Sequence, residues 1–202
     1  MYFPFMVDLL GKKLVVVGGG KVAFRKCELF LSFGAEIDVV APALCEDFSV
    51  LRGSIRHIRD CYASSYLIDA FAVIAATDNR TVNEAVYRDC CQNNIPINVV
   101  DTPELCSFYV PATLSRGDLT IGISTGGKSP SLAGKIKKEL AGLYGEEYSE
   151  KLQLLGKLRN VVKEEIEDIN VRRSILSAAA EMSNQEIEEQ ISLFEPKRGI
   201  LR

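Results

Sequence analysis

The sequence predicts an α/β fold in which a Rossmann-type parallel sheet is followed by a small α+β segment and a helical C-terminal domain. Three observations predict it. A valine-rich apolar run at residues 14–17 ends in three glycines at 18–20. Short apolar runs then alternate with amphipathic segments as far as residue 101, which is typical of a parallel sheet covered on both faces. Beyond residue 146, apolar side chains recur at three- and four-residue steps among many charges, which indicates helices.

The first 41 residues predict a βαβ unit. A strand at residues 14–17 precedes a helix at 22–33, and a second strand at 37–41 stops at Pro42. Gly34 stands where a glycine commonly ends a helix. A strand, a glycine turn, a helix and a strand within about 30 residues match the length of such a unit.

The glycine turn predicts a dinucleotide site. Gly18, Gly20 and Ala23 fit the pattern G-x-G-x-x-G/A. The first glycine permits a tight turn, the second lets a pyrophosphate approach the backbone, and the small third residue lets the helix pack on the strand. Backbone N–H groups near Lys21 and Val22 would favour the phosphate charge. The alternative is a Rossmann-like unit that has lost its nucleotide.

The end of the second strand bears on the choice of cofactor. An acidic residue is expected there to bind the adenosine ribose, but Asp38 lies inside the strand. We therefore expect the backbone of Pro42 and Ala43 to line the ribose pocket. Because no arginine follows directly to hold a 2′-phosphate, NAD is favoured over NADP.

Two further strand ends carry polar residues. Residues 55–58, 72–76 and 96–100 are predicted to be strands, and residues 81–93 a helix. Thr77 and Asp78 follow one strand and Asp101 follows the next, where ligands of open α/β sheets bind. We expect Thr77 and Asp78 to contact the cofactor, and Asp101 is a candidate catalytic carboxylate facing the nicotinamide. An aspartate after a strand is also a common turn or cap residue.

The next segment predicts a hairpin and an anion-binding loop. Residues 108–114 and 119–124 are the expected strands, 116–118 the turn, and 131–143 a helix capped by Ser129 or Ser131. The loop between strand and helix could hold a phosphate or a carboxylate, or it could simply need glycine for a tight connection. Its candidate binding residues are Ser124, Thr125, Gly126, Gly127, Lys128 and Ser129. Nearby basic residues such as Arg116 could bind a polyanion or merely lie on a solvated face.

Composition restricts the remaining classes. A net charge of −3 argues against nucleic-acid binding. No run approaches the roughly 20 apolar residues that span a bilayer, so no membrane association is expected. Six cysteines lack the spacing of a zinc site, which favours a reduced cytoplasmic protein without a metal centre. His57, the only histidine, is interpreted as a surface residue. The predicted domains are 1–110, 111–145 and 146–202, with helices of the last interrupted near Asn170 and Ser183.

Several stretches together resemble the precorrin-2 dehydrogenase family, which also forms the N-terminal module of siroheme synthase. They include residues 15–23 (VVVGGGKVA), 75–78 (AATD), 98–101 (NVVD) and 123–130 (ISTGGKSP), and the resemblance covers about residues 1–140. It implies that precorrin-2, a tetrapyrrole with eight carboxylates, loses a hydride to NAD and a proton to a base to give sirohydrochlorin. It also implies that Asp101 is the key carboxylate.

The same resemblance implies a homodimer that exchanges contacts through residues 111–145, and, in some members, insertion of ferrous iron (Fe²⁺) as a second substrate. A histidine that some chelatase members carry in the C-terminal part is absent here, because residues 58–202 contain none. Two alternatives stay open. One is a regulatory module that senses NAD without catalysis, and the other is a metal chelatase that lacks dehydrogenase activity.

Overall fold

A computed structural model describes residues 3–194, which fall into two compact units. Unit 1 extends to Val110 and unit 2 begins at Pro111. A further division of unit 2 at residue 145 stays a prediction. Between residues 3 and 194, none of the helices combines the length and the apolar composition that crossing a bilayer requires.

Unit 1 contains a five-stranded parallel sheet in the order β3-β2-β1-β4-β5. Its strands are β1 (Lys13–Val17), β2 (Glu36–Val40), β3 (Ile55–Ile58), β4 (Ala72–Ala75) and β5 (Ile97–Val99). Its α-helices are α1 (Lys21–Leu31) and α2 (Arg80–Gln92). The strand order reverses direction between β1 and β4, as in dinucleotide-binding folds. This sheet confirms the predicted α/β class.

The sheet is buried on both faces, which explains why its strands read as continuous apolar runs. Successive side chains of a strand point to opposite faces. Leu14 and Val16 accordingly pack with the α1 side of the core, around Cys27. Val15 and Val17 pack with the α2 side, around Val86 and Cys90.

Gly34 ends α1 as the sequence predicts. Its φ of +78° is in the left-handed region, where glycine has no steric penalty. The Gly34 N–H donates to the Leu31 carbonyl at 2.9 Å, and the Ala35 N–H donates to the Phe30 carbonyl at 3.2 Å. This pair of bonds is a Schellman motif, and it turns the chain directly into β2.

Unit 2 contains an antiparallel hairpin followed by four helices. The hairpin pairs β6 (Ala112–Arg116) with β7 (Leu119–Ile123), and the helices are α3 (Pro130–Leu143), α4 (Glu147–Glu165), α5 (Ile169–Ala179) and α6 (Asn184–Phe194). Leu158, Val162 and Ile187 are fully buried where α4, α5 and α6 pack together. The prediction that the first hairpin strand begins at residue 108 is wrong, because residues 106–108 are held alongside β5 in unit 1.

Candidate functional site

The glycine turn after β1 is closely packed below and open above. Gly18 has a φ of +123°, and a Cβ atom placed on it would lie 2.3 Å from the Ala76 carbonyl oxygen. A Cβ on Gly19 would lie 2.0 Å from the Ala43 carbonyl oxygen, whereas one on Gly20 would meet nothing within 4 Å. Only glycine therefore fits the first two positions, while the third leaves room for a ligand against the backbone.

The N-terminus of α1 offers unpaired donors beside this space. Gly20 is the N-cap residue, and it has no side chain with which to cap the helix. The first N–H groups of a helix lack intrahelical acceptors, so those of Lys21, Val22 and Ala23 are free for a ligand. By contrast, Asn79 caps α2 and Ser129 caps α3. Together with the helix dipole, the free N–H groups at the start of α1 fit the negative charge of a pyrophosphate.

The loop after β2 is fixed against the glycine turn. Cys45 N–H donates to the Gly19 carbonyl at 2.8 Å, and His57 Nε2 lies 2.9 Å from the Ala41 carbonyl oxygen. Pro42 and Ala43 between them are exposed, at the place where a ribose pocket is expected. The interpretation of His57 as a plain surface residue is wrong, because its ring is half-buried and holds this loop from β3.

The Asp38 side chain pairs with two basic side chains of neighbouring strands and is not open to a ribose. Its carboxylate is buried and accepts hydrogen bonds from both Nε and Nη2 of Arg56, the first at 2.6 Å. Lys13 Nζ lies 3.4 Å from the same carboxylate. The hydrogen bond with Asp38 raises the pKa of the Arg56 guanidinium, which stays charged. Asp38 is thus engaged by Arg56 and Lys13 and is not available to an adenosine ribose.

The turn after β4 is organised by a buried asparagine. Asn83 accepts from the Thr77 hydroxyl at 2.7 Å, and its Nδ2 donates to the Thr77 carbonyl at 3.0 Å. Sequence reasoning missed Asn83, although its position three residues before buried Val86 on α2 is a signal that its amide needs partners inside the protein. The Thr77 hydroxyl is engaged by this contact, while Asp78 is exposed.

Asp101 follows β5 in an unusual backbone conformation. The Val100 N–H still donates to the Ala75 carbonyl at 2.9 Å, so the parallel ladder continues up to the residue before Asp101. Asp101 itself has a φ of +57°, a left-handed conformation that Asp69 and Asn94 also adopt, and it is exposed. Of these three residues, Asp101 is the one that follows a strand, at the end of the sheet where ligands of such folds bind.

These features lie together at the carboxyl end of the sheet. The glycine turn follows β1, Thr77 and Asp78 come after β4, and Asp101 comes after β5, and these three strands are neighbours. Because parallel strands all point the same way, their carboxyl ends lie together, beside the point where the strand order reverses. The unit can hold a dinucleotide and present a carboxylate next to it.

The glycine-rich loop of unit 2 is shaped by its own hydroxyl groups. Thr125 Oγ1 donates to the Ser129 carbonyl at 3.0 Å and accepts from the Ser129 N–H at 3.1 Å. Ser129 Oγ in turn accepts from the Leu132 N–H at 3.2 Å, so Ser129 rather than Ser131 caps α3. Gly126 and Gly127 have φ values of +62° and +78°. Thr125 and Ser129 therefore hold the loop in shape.

The other predicted residues of unit 2 differ in what they can reach. Ser124 and Lys128 are exposed, although Ser124 Oγ accepts from the Gly126 N–H at 3.2 Å. Arg116 has a side chain only 19% exposed, and its Nε lies 3.2 Å from Glu146 Oε1 without the alignment of a hydrogen bond. Its Nη1 donates to the Ser115 carbonyl at 2.8 Å. Lys128 is thus a more available cation than Arg116.

Within residues 3–194, no three His, Cys, Asp or Glu side chains are grouped in a way that could hold a metal ion. All six cysteines are free thiols. Burial raises the pKa of both Cys27 and Cys90 to about 12, which keeps these two thiols protonated.

Two family models match the chain. The model described as putative NAD(P)-binding covers residues 5–112, and the model described as sirohaem biosynthesis protein central covers residues 116–143. The siroheme synthase of Psychrobacter cryohalolentis is 39% identical over 173 residues, which is 85% of this chain and 33% of that protein. The siroheme synthase of Saccharophagus degradans is 37% identical over 174 residues, 85% of this chain and 38% of that protein. The chain thus spans about a third of the length of these relatives.

One solved structure matches over nearly its whole length. It is described as SirC, precorrin-2 dehydrogenase, and superposes with a TM-score of 0.83 at 29% sequence identity. The match covers 96% of this chain and 99% of that one. The similarity therefore includes both units.

Proposed function

We propose that this chain, which belongs to the precorrin-2 dehydrogenase family, oxidises precorrin-2 to sirohydrochlorin with a nicotinamide dinucleotide. The observation that carries the proposal is the open glycine turn at the uncapped start of α1, with the Asp101 carboxylate at the same carboxyl end of the sheet. A binding site for a dinucleotide alone would not need an exposed carboxylate at the same end of the sheet.

The residues of unit 1 fit the cofactor. Gly18 and Gly20 let the pyrophosphate approach, and the free N–H groups of Lys21 and Val22 bind its oxygens. When bound, the nicotinamide supplies the acceptor for the substrate hydride. We propose NAD rather than NADP, since the exposed backbone of Pro42 and Ala43 offers no cation for a 2′-phosphate.

Asp101 acts as the general base in this proposal. Loss of a hydride leaves positive charge on the macrocycle, and a carboxylate nearby stabilises that charge and accepts the proton that leaves. Asp101 is exposed directly after the strand ladder ends, so substrate can reach its carboxylate.

We assign the substrate carboxylates to unit 2. Two consecutive glycines with positive φ expose the backbone of the loop, and Lys128 beside them is an exposed cation. Ammonium and backbone N–H groups both bind carboxylates. Thr125 and Ser129 contribute by holding the loop rather than by touching substrate.

Three further proposals concern assembly, iron and location. The two-stranded β6–β7 sheet is marginal by itself, and an unpaired strand edge can pair with another chain, which supports a homodimer. Fe²⁺ would be a substrate inserted after oxidation. Six free thiols fit a reducing compartment, and we place the protein in the cytoplasm.

An anaerobic assay tests the proposed reaction. Purified protein is mixed with precorrin-2 and either NAD or NADP, the absorption spectrum is followed, and Fe²⁺ is added in a second stage. We expect sirohydrochlorin to form with NAD. Asp101→Ala should lower the rate by about 100-fold or more, and leave the Kd for NAD within about twofold, because Asp101 is not needed to hold the pyrophosphate.

Asp118→Ala is the matched control, since Asp118 is an exposed aspartate in the hairpin turn. It should behave like the wild type. Binding of NAD without any oxidation would instead indicate a sensing module, and insertion of metal without oxidation would indicate a chelatase. Either result would overturn the proposed reaction.

A further inference from the structure

We propose that the Cys106 thiol is a positioning residue that clasps the Asp101 loop to the edge of the sheet. The inference rests on the proposed function, because it concerns the carboxylate that we assign as the base. It extends that function by adding a residue that touches neither substrate nor cofactor.

The edge strand β5 has backbone groups that no neighbouring strand can pair. In the parallel ladder with β4, the Pro96 carbonyl and the Val100 N–H point inward and bond to Val73 and Ala75. The peptide groups of the alternating residues, Ile97 and Val99, therefore point outward, where no strand follows β5 in the sheet. Unpaired groups at such an edge need other partners.

Two consecutive residues that return along β5 provide those partners. Ser107 Oγ accepts from the Ile97 N–H at 2.8 Å, and the Ser107 N–H donates to the Ile97 carbonyl at 2.9 Å. Cys106 Sγ accepts from the Val99 N–H at 3.2 Å, and its S–H can donate to the Val99 carbonyl at 3.2 Å. A hydroxyl, a thiol and one backbone N–H thus take the place of a sixth strand.

The buried asparagine of β5 strengthens the same junction. Asn98 Nδ2 donates to the Phe108 carbonyl at 3.0 Å and lies 3.6 Å from Cys106 Sγ. Burial raises the pKa of the Cys106 thiol, so the group keeps its proton and remains a donor at neutral pH.

The loop closed by this clasp carries Asp101. Only residues 100–105 lie between Val99 and Cys106, and a loop this short transmits the position of its base to its tip. The left-handed backbone of Asp101 lies inside this short loop, so the position of its side chain depends on how the two ends of the loop are held. Cys106 Sγ also lies 3.5 Å from the Thr102 carbonyl oxygen, directly after Asp101. Loss of the thiol should therefore let the Asp101 carboxylate shift.

Substitutions separate this positioning role from simple packing. Cys106→Val fills the space but leaves the Val99 N–H without its acceptor, while the Val99 carbonyl keeps only the Thr102 N–H at 3.4 Å. Cys106→Ser keeps a donor and an acceptor at the same position. Cys90→Val is the control, because Cys90 is a buried thiol on α2, away from the Asp101 loop in sequence and in secondary structure.

The experiment measures kcat, the KM of each substrate, the Kd for NAD and the Tm for each variant. We expect Cys106→Val to lower kcat by about 10- to 100-fold, since a small misplacement of a catalytic group has effects of that size. Its Kd for NAD should stay within about twofold, and Cys106→Ser should restore most of kcat. Cys90→Val should lower the Tm without changing kcat.

The effect of Cys106→Val in a second background distinguishes a positioning role from a purely structural one. In an Asp101→Glu background, whose carboxylate is already displaced, Cys106→Val should lower kcat much less than in the wild type. An equal loss in both backgrounds, or a wild-type kcat in Cys106→Val, overturns the proposal. Should Cys106→Val not fold, Cys106→Ala and Cys106→Ser decide, and equal kcat values in these two overturn it.

Failure of the Cys106 proposal and failure of the proposed function give different results. If Asp101→Ala retains full oxidation, the assignment of the base is wrong, whatever Cys106 does. If Asp101→Ala abolishes oxidation but Cys106→Val retains it, the base is right and the clasp is wrong.

Discussion

Gly18 and Gly20 belong to one turn, yet they face different surroundings. Gly18 has a positive φ and a neighbouring carbonyl oxygen where a side chain would begin. Gly20 has a φ of −85°, which any residue can adopt, and open space above it. The first glycine is therefore required by the fold, whereas the second is required only if a ligand fills that space.

Alanine at each position separates the two requirements. Gly18→Ala should destabilise the protein by about 2 kcal/mol or more, because its Cβ overlaps the Ala76 carbonyl and the backbone is strained. Gly20→Ala should change stability by less than about 1 kcal/mol but weaken NAD binding by about tenfold or more, since the methyl group occupies the place of closest approach. Thermal unfolding and NAD titration of both variants measure this. Wild-type NAD affinity in Gly20→Ala would contradict a pyrophosphate at this turn.

Single residues differ in how well the sequence predicts them. The glycines are predictable because their pattern is local, within six residues and between a strand and a helix. His57 and Cys106 are not, since each acts through backbone groups that only the fold brings near. Asn83 and Asn98 do leave a signal, because an asparagine among apolar residues of a buried element needs a partner. A cysteine gives no such signal, since it is equally at home in an apolar core.

Single side chains decide where several helices of this protein begin. The predicted interruption near Asn170 occurs because Asp168 begins a new helix: its Oδ1 accepts from the Asn170 N–H at 2.7 Å and the Val171 N–H at 3.2 Å. The β-strands and helices of unit 1 were predictable from periodicity and glycines. The start of the hairpin was not, because residues 106–108 pair with β5 largely through side chains, and periodicity does not detect such pairing.

The α5 cap makes a testable contribution to stability. Asp168→Ala should lower the free energy of unfolding by about 1 kcal/mol, since it removes an acceptor for two free N–H groups and a negative charge at the positive end of the helix. Glu167→Ala is the control, because Glu167 is exposed and adjacent but does not cap. Urea unfolding of both variants measures the difference. Equal stability would show that other groups satisfy the start of α5.

The division of the chain after residue 110 separates two sets of packed side chains. The two apolar clusters of unit 1 consist, among the residues described, only of residues up to Val110. The apolar cluster of unit 2 lies wholly in α4, α5, α6 and the residues flanking them. The candidate cofactor residues all precede the boundary, so binding of the dinucleotide should not require unit 2.

A fragment of residues 1–110 should therefore fold and bind NAD. It keeps the whole sheet, the Cys106 clasp and the contacts of Phe108 and Val110 with the core. NAD at about 100 times its Kd should stabilise the fragment by about 2.7 kcal/mol, because only the folded form binds. A fragment of residues 1–100 is the matched control, since it retains every strand of the parallel sheet but leaves the outward groups of β5 without partners. It should unfold at lower temperature. Circular dichroism against temperature, with and without NAD, measures both fragments. A 1–110 fragment that folds but shows no NAD-dependent rise in Tm would mean that unit 2 supplies part of the cofactor site.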